Sequence, residues 1–246
     1  NTKNVSTLLD GLPLLLTKMK ILRSFNSKSP MLISRYDSLF IGFQDKFADY
    51  QINKDYIDLL QTVNLVEKMT LPRAMEYLKP VIQRLLQSCE VDLDSGLFVP
   101  NEKTLKWLNS LWWFISNEIK LTPTASDQCL TFSDVRKLFS DCCILPVVGP
   151  GHKHFLQKMN SMSSVIQYVT DKDMSHILIK LGFMQLDYMF FSDVLTQLTL
   201  GLQAELMNVN DKSAVLNEVC NIDHSKFNHL SSDEVNALQS FLQSGV

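Results

Sequence analysis

Apolar and polar positions follow a helical period through most of the chain. Tyr56, Leu59, Leu60 and Val63 recur at that spacing, which predicts a first buried stripe. Ala74, Leu78, Val81, Ile82, Leu85 and Leu86 predict a second. Pro72 suits the first turn of that helix, whereas Pro80 predicts a kink or a restart. Beyond Pro100, Leu105, Leu108, Trp112, Ile115 and Ile119 share one face, and Trp107, Leu111 and Phe114 widen it. A helix apolar around so much of its circumference belongs at the centre of a core. Val135, Leu138, Phe139 and Cys142 predict a short helix capped by Ser133. Met174, Ile177, Leu178 and Leu181 predict another, stopped by Gly182. Leu195, Leu198, Leu202 and Leu206 mark a longer one. The stretch SSDEVNALQSFLQSG has a Ser cap, acidic residues in its first turn and Gly245 at its end.

Two segments break this period, LPLLLTKMKILRSF (Leu12 to Phe25) and ILPVVGPGHKHFL (Ile144 to Leu156). Each runs Leu-Pro, a short apolar stretch, a turn-length polar break and a second apolar pair. Leu12-Pro13-Leu14-Leu15 aligns with Leu145-Pro146-Val147-Val148 without a gap. Proline is tolerated at the start of a strand, where its missing donor falls at the end of the ladder. Both segments therefore predict short hairpins. The expected fold is α+β and mainly helical, with amphipathic helices packed around two β-hairpins at about 12–25 and 144–156. TPTASDQ, residues 122–128, is the clearest break. It divides the chain into a helical lobe at 1–121 with the first hairpin and another at 129–246 with the second, unless the whole is one continuous domain.

An apolar fraction of 46% against 20% charged describes a folded chain rather than a disordered one. The net charge of -3 gives no general attraction to nucleic acid or an anionic membrane. No apolar run reaches the roughly 18 residues a membrane-crossing helix needs, so no membrane insertion is expected. The start, NTKNVSTLLDG, carries no leader pattern, and the lack of an initiating Met points to a piece of something longer. Cys89, Cys129, Cys142, Cys143 and Cys220 are odd in number and scattered, which favours free thiols in a reducing, cytoplasmic setting. The glycosylation sequon Asn4-Val5-Ser6 would be idle there.

The densest chemistry lies in CCILPVVGPGHKHFL, Cys142 to Leu156. Adjacent Cys142 and Cys143 diverge on any regular backbone, unlike the spaced pairs of zinc sites. His152 and His154 alternate onto one strand face, so a site of one cysteine and both histidines is geometrically conceivable. The competing reading is a core cysteine and solvent-facing histidines near a turn. Gly149-Pro150-Gly151 is a weak phosphate loop, because Pro150 removes a donor and no helix follows. Asp92-Leu93-Asp94-Ser95-Gly96 fails as a calcium loop, since the glycine comes one place early and Lys103 replaces the final Glu; a polar turn between helices is expected. His176, His224 and His229 form no HExxH pattern, and no GxSxG, P-loop or GxGxxG occurs. Trp107, Trp112, Trp113 and Phe114 cannot all face one direction, so part of the group is a candidate partner-binding surface. Phe183, Met184, Tyr188, Met189, Phe190 and Phe191 form a similar group. Trp107, Trp112, Trp113, Phe190 and Phe191 are the partner-binding candidates.

Gly11-Leu12-Pro13-Leu14-Leu15-Leu16-Thr17 with Leu22-Arg23-Ser24-Phe25 resembles the recurring hairpin of the sacsin family's internal repeats. LFSDCCILPVV (Leu138 to Val148) and ILIKLGFMQLDYMFFS (Ile177 to Ser192) resemble further parts of such a repeat. The resemblance implies a piece of a giant cytosolic chaperone-like protein. Each repeat of that protein begins with a nucleotide-binding-type domain similar to the ninety-kilodalton heat-shock chaperone. Its implied partners are the seventy-kilodalton chaperone system, the proteasome and intermediate filaments, and its loss is associated with a spastic ataxia. The chain lacks the Asn-bearing helix motif and Asp-x-Gly-x-Gly loop of the nucleotide domain, which places it downstream of that domain with no cofactor of its own. The expectation is a non-catalytic module contacting protein partners or neighbouring segments of the same large chain. The alternatives are a small helical enzyme whose site assembles only in three dimensions, and a zinc-stabilised module using Cys142 or Cys143 with His152 and His154.

Overall fold

The computed structural model describes residues 7–26, 28, 30–49, 51, 55–119, 130–166 and 172–244. The expected linker at 122–128, Cys129, the Asn4 sequon and Gly245 lie outside them. Two compact units divide the chain, residues 1–84 and 85–246.

In the first unit, strands β1 (Leu15–Leu16) and β2 (Leu22–Arg23) form the first expected hairpin, antiparallel, with Leu15 opposite Arg23 and Leu16 opposite Leu22. A separate parallel pair joins β3 (Met31–Ile33) to β4 (Val66–Lys68). Helix α1 (Ile57–Thr62) lies between them in sequence. Of its expected stripe Leu60 and Val63 are buried, joined by Ile57, while Tyr56, which precedes the helix, and Leu59 are exposed. The cause is length. A helix under two turns buries one narrow line, and the sequence pattern assumed a wider one. Leu15, Phe25, Ile33, Ala48, Leu60 and Val66 meet in one apolar cluster. Phe40 stacks on Phe47 at 4.6 Å, and Tyr77 meets both edge-on. Tyr77 belongs to helix α2 (Leu71–Gln87), which stays continuous through Pro80, without the restart expected there.

The second unit is built on a six-stranded sheet. Strands β5 (Glu90–Val91), β6 (Phe98–Val99), β7 (Cys143–Val148), β8 (His154–Lys158), β9 (Val165–Ile166) and β10 (Met184–Leu186) follow the spatial order β5-β6-β8-β7-β10-β9. All its pairings are antiparallel except β9 with β10. The architecture is therefore mixed α/β, about half helical. That corrects the picture of helices around two isolated hairpins, because the second hairpin is the middle of a sheet. Asp92 to Gly96 turns between β5 and β6, two strands rather than two helices.

Pro146 sits inside β7, not at its start. Its carbonyl accepts from the Asp187 amide at 3.1 Å, so its nitrogen faces the same side, where β10 has ended at Leu186. The lost donor thus falls beyond the ladder. Helix α3 (Glu102–Glu118) starts at Asn101, whose side chain accepts from the Thr104 amide. Trp107, Leu108, Leu111, Trp112, Phe114 and Ile115 are buried along it, as its wide apolar face predicts. Helix α4 (Phe132–Leu138) is capped by Thr131 in a reciprocal box with Asp134; Ser133, the expected cap, lies inside the helix. Helices α5 (Lys172–Lys180), α6 (Leu195–Glu205), α7 (Lys212–Cys220) and α8 (Ser232–Gln243) follow. Gly182 ends α5 with φ +96°, and Ser231 caps α8 in a box with Glu234.

Helix-end and turn carboxylates carry charge with structural consequences. The Thr131 hydroxyl and amide hold the Asp134 carboxyl below its usual range. Lys180 and the Ser231 amide do the same for Glu234. A depressed folded value stabilises the protein above the unfolded value, near 4, and the contribution disappears as pH falls through the folded value. The Asp134→Asn, Glu234→Gln double variant should therefore lose less stability than the parent on acidification below about pH 4. Chemical denaturation along a pH series measures this.

Candidate interaction surface

The register of β7 with β8 decides the fate of the Cys and His residues. Cys143 lies opposite Lys158 at the open end, and Val148 lies opposite His154 at the turn end. Five strand residues separate those ends, about 17 Å. The hairpin thus holds its cysteine and histidine side apart, and no group of three potential metal ligands occurs among the described residues. Cys143 is buried, and burial pushes its thiol up from the ordinary range against a smaller opposing pull from Lys158. Cys142 is half-buried at the strand's start, and His152 is exposed in the turn with φ +57°.

The glycines of this turn serve shape. A Cβ on Gly149 would meet Met184 Sδ and the Phe155 ring at 2.8 Å, so only glycine lets β7 leave the sheet there. Gly151, at φ +69° in open space, supplies the left-handed turn residue. Gly149→Ala should cost about 1–3 kcal/mol in thermal or urea unfolding. In a double-mutant cycle Gly149→Ala should cost less in a Met184→Ala background than in the parent, because one of the two collisions is then gone.

His154 does have a partner. Its Nδ1 lies 2.7 Å from Asp187 Oδ2. The Asp187 side chain is 5% exposed, whereas that of His154 is 54% exposed. Asp187 Oδ1 accepts from the Phe190 amide at 3.0 Å, and its own amide donates to Pro146. The carboxylate therefore folds the 187–191 turn back over β7 and β8.

That turn brings together two aromatic groups which the sequence shows only as separate runs. Phe191 meets Trp112 edge-on at 5.0 Å, and Trp112 Nε1 donates to the Ile144 carbonyl at 2.9 Å. Trp107, Trp112 and Phe191 are buried, which removes them from the expected partner-binding set. An indole buried with its N–H satisfied is a core element. Trp113 and Phe190 are half-buried, and Met189 between the turn residues is exposed.

The larger display of apolar surface was not foreseen. Leu8, Leu12, Leu14, Met19, Ile21 and Leu22 are all exposed in the first unit. Cross-strand pairing puts Leu16 and Leu22 on one face of the β1–β2 hairpin, and alternation adds Leu14. Leu15 and Thr17, on the opposite face, are fully buried. One signal was available in the sequence: LPLLL is apolar at consecutive positions, so a strand drawn from it must show leucine on both faces. Lys18 pairs with Asp37 at 3.1 Å and Lys20 with Asp49 at 2.6 Å, which fixes the turn of this hairpin. Exposed apolar side chains gathered on one face beside polar residues are characteristic of interaction sites.

No family model matches the chain, and no solved structure matches it. A stretch of 139 residues, 56% of the chain, is 26% identical to human sacsin. It spans 3% of that protein's length. The likeness supports a distant sacsin-like relationship. No helix among the described residues is long and apolar enough to cross a membrane.

Proposed function

We propose that the chain is a non-catalytic structural and protein-interaction module of a large, cytoplasmic, chaperone-like scaffold. The observation that carries this reading is the exposed apolar face of the first hairpin, in a chain distantly similar to sacsin. The role given to the reactive side chains agrees with it. His154 anchors a turn through Asp187, and Cys143 is buried, which pushes its thiol up from the ordinary range. By the same likeness, the parent scaffold would serve protein quality control, with the chaperone system, proteasome and intermediate filaments as partners.

A chain of this kind acts by contact, with no nucleotide required. Light scattering of a heat-unfolded client protein should show less aggregation when the 246-residue chain is added at equimolar ratio without ATP. Unchanged aggregation, or turnover of ATP by the purified chain, contradicts the reading.

A further inference from the structure

We propose that the β1–β2 hairpin binds an extended acidic–apolar protein segment, which adds as a strand to the outer edge of β2. This rests on the interaction-module reading and names the site and the chemistry of its partner.

The two edges of the hairpin differ. Residues 47–49 cover the β1 side: Thr17 bridges to Ala48, the Lys18 amide donates to Phe47, and the Asp49 amide donates to the Leu16 carbonyl. On the β2 side, Leu22 and Arg23 pair with β1, and no strand among the described residues takes the other edge. An open edge offers main-chain donors and acceptors in a row, and an incoming strand satisfies them while its alternate side chains meet the sheet face. That face presents Leu14, Leu16 and Leu22, so the partner's alternate residues facing it must be apolar.

Charge sets the rest of the partner's chemistry. Lys18 and Lys20 lie in the turn, Arg23 lies one pair further from it, opposite Leu15, and Asp10 is the one carboxylate between residues 7 and 26. Lys18 and Lys20 side chains are 40% and 64% exposed, while their partners Asp37 and Asp49 are 12% and 3% exposed. Arg23, 52% exposed, faces the part-exposed Asp45 at 3.9 Å. The buried carboxylates hold the cations in place but are shielded from an approaching ligand, which meets ammonium and guanidinium groups first. Carboxylates on the partner complement that rim. A lipid surface offers anionic charge and apolar depth too, but it cannot supply the directional main-chain bonds the β2 edge leaves open.

The probe is a fluorescein-labelled peptide of about ten residues alternating leucine with glutamate, titrated into the full chain by fluorescence anisotropy. A leucine–lysine peptide and a serine–glutamate peptide serve as controls. The leucine–glutamate peptide should bind, and both controls should bind at least about tenfold more weakly. Leu14→Ser with Leu22→Ser should weaken binding about tenfold, and Arg23→Gln should reduce its salt dependence, with far-UV circular dichroism unchanged. These positions are exposed, so the variants should fold. Equal binding of all three peptides, or no binding of any, overturns the proposal. Sedimentation with phosphatidylserine vesicles in place of peptide binding also overturns it, in favour of a lipid surface. If the peptide fails while client aggregation is still suppressed, this site is wrong and the module reading stands. If both fail, the module reading falls with it.

Discussion

The second unit depends on one buried carboxylate. Asp187 reaches three places at once: through its backbone to the Pro146 carbonyl, and through its side chain to His154 and to the Phe190 amide. Each bond answers a need created elsewhere. Pro146 interrupts the donor row of a central strand just where β10 ends, and the Asp187 amide takes up its carbonyl. The Phe190 bond closes the turn that places Phe191 against Trp112. Trp112 in turn ties helix α3 to β7 through Ile144. A charged group buried to this degree is tolerated only when its oxygens are satisfied, and here both are.

This dependence explains why residues that look chemical are structural. A histidine whose Nδ1 meets a carboxylate is the orienting half of many hydrolytic sites. Here the carboxylate is shared with a turn amide, and the imidazole sits at the rim of a hairpin turn. The cysteines are about 17 Å away along the strand. Most of the exposed apolar side chains of the first unit lie on its first hairpin. Leu15 and Thr17 hold the β1–β2 hairpin to its core, and Leu14 and Leu22 on the opposite face are exposed.

The helices were legible because their stripes run long enough to fix phase. Met174, Ile177, Leu178 and Leu181 are all buried, as are Leu198, Leu202 and Leu206. Both Leu-Pro hairpins were legible from the apolar–turn–apolar pattern. The six-stranded sheet was not, because β5, β6, β9 and β10 are two or three residues long and carry no readable alternation. In the short α1 only Leu60 and Val63 of the expected stripe are buried, because fewer than two turns define the buried line poorly. The Trp112–Phe191 contact joins residues far apart in sequence through a turn that Asp187 closes. The exposed face of the first hairpin was implicit in the consecutive leucines of LPLLL, but an unbroken apolar run does not say which face is covered.

The structural weight placed on Asp187, through His154, the Phe190 amide and Pro146, is open to direct measurement. A double-mutant cycle over Asp187→Ala and His154→Ala tests it directly, read by urea unfolding and by the near-ultraviolet circular dichroism of Trp112. The account predicts that Asp187→Ala costs about 2–3 kcal/mol and diminishes the tryptophan signal. His154→Ala, which takes the partner from Asp187 Oδ2 but leaves the Phe190 bond, should cost less than Asp187→Ala and leave the signal intact. An Asp187→Ala protein with unchanged stability and an unchanged tryptophan signal would contradict the account.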